Sequence, residues 1–144
     1  LLVKKSELKG VELSGKIIPN IIDEIPIISI AAAFADGETV IRDASELRVK
    51  ESDRLMAVSE GFTSLGIMHK NFEDGMIIQG DPNRILINQS ISIESYGDHR
   101  IAMSFLIAGL KCSEPITVKD CKNIFTSFPN FIKLLSSIGY KVER

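Results

Sequence analysis

At 144 residues, 44% of them hydrophobic and 25% charged, the chain is long enough for one domain with a core and too apolar for a disordered segment. A formal net charge of -2 offers nucleic acid or an anionic membrane surface no basic face, and the longest apolar run, 101–110, is broken by Ser104 and too short to cross a bilayer. Two cysteines, Cys112 and Cys121, fit no metal-ligand spacing and make little case for a disulfide, which points to a reducing, cytoplasmic setting.

In chain order, residues 11–13 read as a strand, and 25–35 as a helix stopped by Asp36-Gly37. A strand follows at 39–41. Residues 53–65 form an amphipathic helix with Gly66 behind it, and 68–80 a hairpin turned at Glu73-Asp74-Gly75. The cycle then recurs: a strand at 91–94, a helix at 98–111, a strand at 116–119, a helix at 129–138 ahead of Gly139, and a last strand at 140–143.

The two halves echo each other. VIRD (40–43) answers TVKD (117–120), and SLGIMHK (64–70) answers SIGYKVE (137–143). This predicts an α/β chain of two βαβαββ-like units, about 1–80 and 81–144. Two copies are few to close a core, and the chain opens Leu-Leu rather than with Met, so the expectation is a partial domain of something longer. The first helix of each unit, IPIISIAAAFA and IAMSFLIAGL, is apolar all round and belongs inside, whereas RLMAVSEGFTSL and NFIKLLSSI keep a polar face.

Charge gathers where helices begin: Asp23-Glu24, the stretch Arg48 to Arg54 within SELRVKESDRL, and Asp98-His99-Arg100. Helix starts carry unpaired N–H groups and about half a positive charge, so several of them aimed at one place suit an anion. Lys50, Arg54 and Arg100 are the candidate cations for phosphate or carboxylate, and Lys50 and Arg54, four apart, share a side if the helical turn starts early. Asp23 and Glu51 are the candidate proton carriers. Read from residue type alone, Asp23 and Asp98 serve equally as helix caps, Lys50, Glu51 and Arg54 as a solvated ion-pair network, and His99 as a structural residue. No phosphate-loop glycine pattern and no metal cluster stands out.

Four segments, IIDEIPIISIAAAFADGETVIRD, ELRVKESDRL, YGDHRIAMSFLIAGL and FTSFPNFIKLLSSIG, resemble the C-terminal part of the 3-phosphoshikimate 1-carboxyvinyltransferases, the EPSP synthases. The likeness runs in order over nearly the whole chain. It implies an enolpyruvyl transferase-like inverse α/β barrel, with two domains of three βαβαββ units each and the active site between them. Here it covers two of the three units of one domain. It also implies the reaction: transfer of the enolpyruvyl group of phosphoenolpyruvate to the 5-hydroxyl of shikimate 3-phosphate, releasing phosphate, with no cofactor and no metal.

By motif position, Asp23 resembles the aspartate that contacts shikimate 3-phosphate and acts as base on its hydroxyl, and Lys50 a lysine serving the same substrate. Glu51 resembles the glutamate that moves a proton at the methylene carbon. Arg54 and Arg100 resemble the arginines that hold phosphoenolpyruvate, and His99 lies beside them in support. One departure is plain: where many members carry a lysine two residues before the final Phe-Pro, this chain has Thr126, and Lys122 does not align with it. The implied partners are the two small substrates, with no nucleic acid and no membrane. The full-length enzyme is expected to be a monomer, and this piece alone to lack turnover and to self-associate through the face its missing part would cover. The alternatives are UDP-N-acetylglucosamine enolpyruvyltransferase, which shares the chemistry, and a non-catalytic anion-binding piece.

Overall fold

The computed structural model describes residues 2, 6–84, 86 and 91–143. In chain order the strands and helices are β1 (Glu12–Leu13), α1 (Ile18–Ile21), α2 (Ile25–Ala33), β2 (Gly37–Ile41), α3 (Arg54–Ser64), β3 (His69–Phe72), β4 (Gly75–Gly80), β5 (Ser92–Glu94), α4 (His99–Ala108), β6 (Thr117–Lys119), α5 (Ile124–Ser127) and α6 (Phe131–Ser137). Short 3-10 turns at Ile22–Glu24 and Ser45–Val49 lead towards α2 and α3.

The first sheet has the order β1-β2-β4-β3, with β1 parallel to β2 and the other pairings antiparallel. The second holds only β5 and β6, in parallel. Central strand β4 buries Met76 and Ile78 completely, two positions apart on one face, as a sheet covered on one side requires. A single apolar cluster joins both halves, with Ile25 and Ile30 of α2, Leu55 and Phe62 of α3, and Ile101 and Phe105 of α4 among its members. Phe62 and Phe105 meet edge to face, centroids 6.4 Å apart. Gly61 makes that crossing possible, because a Cβ there would land inside the Phe105 ring.

Local chemistry sets the helix ends. Pro26 sits in the first turn of α2, where its missing N–H is no loss. Asp53 caps α3 by accepting from the Met56 N–H, and Asp98 caps α4 by accepting from the Arg100 and Ile101 N–H groups. Gly66, at φ 68°, closes α3 in the left-handed conformation that glycine takes without strain.

Three expectations change. The helix predicted over 98–111 ends as α-helix at Ala108 and tightens into a 3-10 turn, Gly109–Lys111. The two wholly apolar helices are not wholly enclosed: Ile27 of α2 and Leu110 just beyond α4 are exposed, and Leu106 and Ile107 are half-buried. Residues 140–143, which alternate like a strand, form no ladder, since an extended segment needs a partner for its N–H and C=O groups. Among the described residues no helix is long and apolar enough to cross a membrane.

Candidate functional site

Arg54 is the first residue of α3, yet its side chain is only 1% exposed. The turn before it is a 3-10 helix ending in an extended Lys50, and Arg54 is buried, as are Leu47 and Leu55. Its guanidinium then meets carboxylates from three separate stretches. Nε donates to Asp98 at 2.7 Å, one terminal nitrogen to Asp23 at 2.8 Å, and the other to Glu51 at 2.7 Å. Asp98 is itself fully buried and also accepts from the Ser52 hydroxyl at 3.1 Å. Since Asp23 precedes α2 and Asp98 caps α4, this one side chain ties the starts of α2, α3 and α4 together.

The remaining candidates lie around this node. Lys50 pairs with Glu46 at 2.6 Å and reaches Asp23 at 3.9 Å. It shares Asp23 with Arg54, but not by the helical spacing expected, since Lys50 stands outside α3. Arg100 pairs with Glu24 at 2.9 Å, and its charge is felt at Asp23. His99 opens α4 half-buried, and its ring takes no hydrogen bond among the described residues. Thr126 is exposed on α5 and bonds to no member of the cluster. The structure thus brings Asp23, Lys50, Glu51 and Arg54 into one bonded cluster, sets Arg100 beside it, and leaves His99 next in the chain to Arg100 without a hydrogen-bond partner among the described residues.

Electrostatics follow from this packing. Burial pushes the Asp23 carboxyl up, but the Arg54 hydrogen bond and the charges of Arg54, Lys50 and Arg100 outweigh it, so its pKa lies below the ordinary 3.8. Burial opposes the charge on Arg54, and the bond and charge of Asp98 overcome that, holding Arg54 more firmly protonated. Lys50 is raised chiefly by its bond to Glu46. The folded state therefore favours ionised Asp23. That stabilisation is present in full above the ordinary carboxylate pKa and fades as pH falls through the lowered one. The thermal midpoint of the full-length protein should drop as acidification passes below the ordinary carboxylate range and through the lowered Asp23 value, and Asp23→Asn should remove part of that drop; acid melting curves that coincide for the two proteins would contradict this.

Two residues outside the predicted set complete the site. Asp98 read as a cap, which it is, but its second role as Arg54's buried counter-ion had no sequence signal beyond its place before a helix. Arg48 braces the approach by donating to the Phe72 and Glu73 carbonyls, at 2.8 and 2.7 Å, and to Asp53 at 2.9 Å. The opposed charges of SELRVKESDRL are thus divided among a hairpin brace, a helix cap and the Arg54 node.

Comparison with known proteins identifies the family. Residues 2–135 match the family model for EPSP synthase, 3-phosphoshikimate 1-carboxyvinyltransferase. The chain is 45% identical over 143 residues to the enzyme of that name from Magnetococcus marinus, and 50% identical over 141 residues to that of Geobacter sulfurreducens, spanning 99% and 98% of this chain and 32% of each relative. A solved EPSP synthase from Acinetobacter baumannii superposes with a TM-score of 0.89 at 43% identity, over 95% of this chain and 32% of that one. The chain spans about a third of the length of these relatives, and it belongs to the EPSP synthase family.

Proposed function

We propose that the full-length protein transfers the enolpyruvyl group of phosphoenolpyruvate to the 5-hydroxyl of shikimate 3-phosphate, releasing phosphate, and that these residues form one wall of its active site. On this reading they make up part of one domain, in two units of about 1–80 and 81–144. The observation that carries the proposal is the node at Arg54, where two candidate proton carriers and two candidate cations meet at the starts of three helices.

Asp23 takes the proton from the acceptor hydroxyl as its oxygen bonds to the central carbon of phosphoenolpyruvate. Glu51, protonated once it is released from Arg54, hands its proton to the methylene carbon and takes one back as the double bond re-forms, while the proton held by Asp23 passes to the departing phosphate. The central carbon gains positive character as its neighbour is protonated, and the carboxylates at its side stabilise that charge as it develops. Arg54 and Arg100 hold anionic groups without competing for the proton, because a guanidinium stays charged. Much of the benefit is orientation of two bound molecules.

This wall carries five carboxylates (Asp23, Glu24, Glu46, Glu51, Asp98) against three cations (Lys50, Arg54, Arg100). An incoming anion is therefore drawn here by exchange: a substrate carboxylate takes the Arg54 donor now held by Glu51, and Glu51 is freed towards the methylene carbon. Further cations must come from the facing wall.

The test uses the full-length protein and measures phosphate release from phosphoenolpyruvate. Release should require shikimate 3-phosphate, UDP-N-acetylglucosamine should not replace it, and Arg100→Ala should lower kcat/KM by about 100-fold or more, as expected for loss of a charged contact worth about 3 kcal/mol. An unchanged rate in Arg100→Ala, or turnover with the sugar nucleotide, would defeat the assignment.

A further inference from the structure

Residues 50–52, which include Lys50 and Glu51, join the 3-10 turn Ser45–Val49 to the start of α3 and are neither helix nor strand. Lys50 is extended, at φ -78° and ψ -157°, and Val49 and Glu51 on either side of it are exposed. One ion pair joins the two ends of this stretch. Arg48 donates to the Asp53 carboxylate at 2.9 Å, closing a short loop around Lys50, Glu51 and Ser52. The other carboxylate oxygen of Asp53 caps α3 by accepting from the Met56 N–H at 2.9 Å, so the pair is fixed to the helix on that side.

On its other side Arg48 grips the turn between β3 and β4. Nε donates to the Glu73 carbonyl at 2.7 Å, and a terminal nitrogen to that of Phe72 at 2.8 Å. That turn is locked in its own right to the end of β2. The Ala44 N–H donates to the Asp74 carbonyl at 2.7 Å, and the Asp43 N–H to the Asp74 carboxylate at 3.0 Å. The Arg42 guanidinium lies over the Phe72 ring, 3.6 Å from its centre. Gly75 packs so closely on β2 that a Cβ there would stand 2.0 Å from the Ile41 carbonyl oxygen. Arg48 therefore hangs the loop from a rigid platform.

The consequence for Glu51 lies in what else holds it. Without substrate its carboxylate is bonded to Arg54 at 2.7 Å. In the exchange described above a substrate carboxylate takes that donor, and the direction of Glu51 then depends on its backbone. Ser52 ties the far side of the stretch to Asp98 at 3.1 Å, and buried Leu47 sets the depth of the turn. Neither sets the heading of the backbone between them. A planar guanidinium donating to two carbonyls and a carboxylate does, because few orientations of the fork satisfy all three.

We propose that Arg48, paired with Asp53, is the positioning residue that keeps Glu51 aimed at the methylene carbon once Glu51 has left Arg54. Its bonds go to the hairpin turn and to the α3 cap, so it acts through the backbone of the loop and not on a reactant. This role rests on the reaction proposed above and adds the part that aims its proton carrier.

The experiment measures steady-state phosphate release by the full-length protein, with each substrate varied in turn, in ordinary and in heavy water. Arg48→Met should lower kcat by about 10- to 100-fold, the scale for a reacting group misplaced by about 1 Å, and leave each KM within about threefold of the parent. The solvent isotope effect on kcat should rise, because proton transfer to carbon becomes the slow step. Arg48→Lys should restore little, since one ammonium cannot serve all three acceptors. Asp53→Asn keeps an oxygen for the α3 cap but loses the ion pair. It should lower kcat in the same way by a smaller factor, and it carries the test if Arg48→Met does not fold. Combining Arg48→Met with Asp53→Asn should cost little more than Arg48→Met alone, as expected of partners in one device.

A kcat within about twofold of the parent in both single variants would overturn the role, even beside a lowered thermal midpoint. A rise in KM alone, an unchanged isotope effect, or losses that multiply in the double variant would overturn it too. A parent protein without release dependent on shikimate 3-phosphate would defeat the reaction, and this role with it. A parent that turns over beside unimpaired variants would defeat this role alone.

Discussion

Replacing Arg54 with methionine should destabilise the full-length protein by about 3–5 kcal/mol, a loss visible as a lower denaturant midpoint. The size follows from what remains behind. Asp98 is wholly buried and, among the described residues, Arg54 is its one ion-pair partner, at 2.7 Å, so the variant leaves an enclosed carboxylate with hydrogen bonds from Ser52 and the α4 start but no counter-ion. Asp23 and Glu51 contribute less, because both can turn to water. Adding Asp98→Leu to Arg54→Met should recover most of the loss, short by about 1 kcal/mol for the missing α4 cap. Arg54→Lys should not restore wild-type stability, since one ammonium cannot reach three carboxylates in a fixed fork. A loss below about 1 kcal/mol in Arg54→Met would mean that water or another cation reaches Asp98, and the node would lose its structural meaning.

Asp23→Asn should act chiefly on turnover, with only the modest acid-linked change in stability beside it. Its amide oxygen can still accept from Arg54, so the three helix starts stay joined, but it cannot take a proton. A fall in kcat of about 100- to 10,000-fold is the expected scale for removing a general base. The pH profile separates this role from mere binding. Activity of the parent protein should decline only as acidification protonates Asp23, below the ordinary carboxylate value because its cationic neighbours hold it ionised. That acid limb should vanish from the residual activity of Asp23→Asn. A variant with raised KM, unchanged kcat and the same acid limb would make Asp23 a binding group only.

The charged helix starts were legible because polar clusters ahead of apolar runs mark where helices begin, and helix starts gather ligands. Asp98 as a cap, the hairpin turn at 73–75 and the positive-φ glycines behind α3 and α6 follow from the same local rules. Local rules do not say which of several cations turns inward. Arg48 and Arg54 look alike in the sequence, yet one braces a hairpin at the surface and the other is enclosed. That choice depends on the extended backbone at Lys50 and on Asp98, 44 residues away. Residues 140–143 show the opposite case: the alternation is correct for a strand, but pairing is decided by whatever lies alongside.

The Arg54 joint also orders events in time. Asp23 and Asp98 reach it across separations of 31 and 44 residues, so two long loops must close before it forms, while β3 and β4 need only a tight turn. The hairpin can therefore be in place early, with this corner settling near the end of folding. Kinetically, Arg54→Met would then hasten unfolding and leave the refolding rate almost untouched; an equal slowing of refolding would place the joint in the nucleus instead. The side chains proposed to meet the reactants would thus be the last fastening of the wall itself.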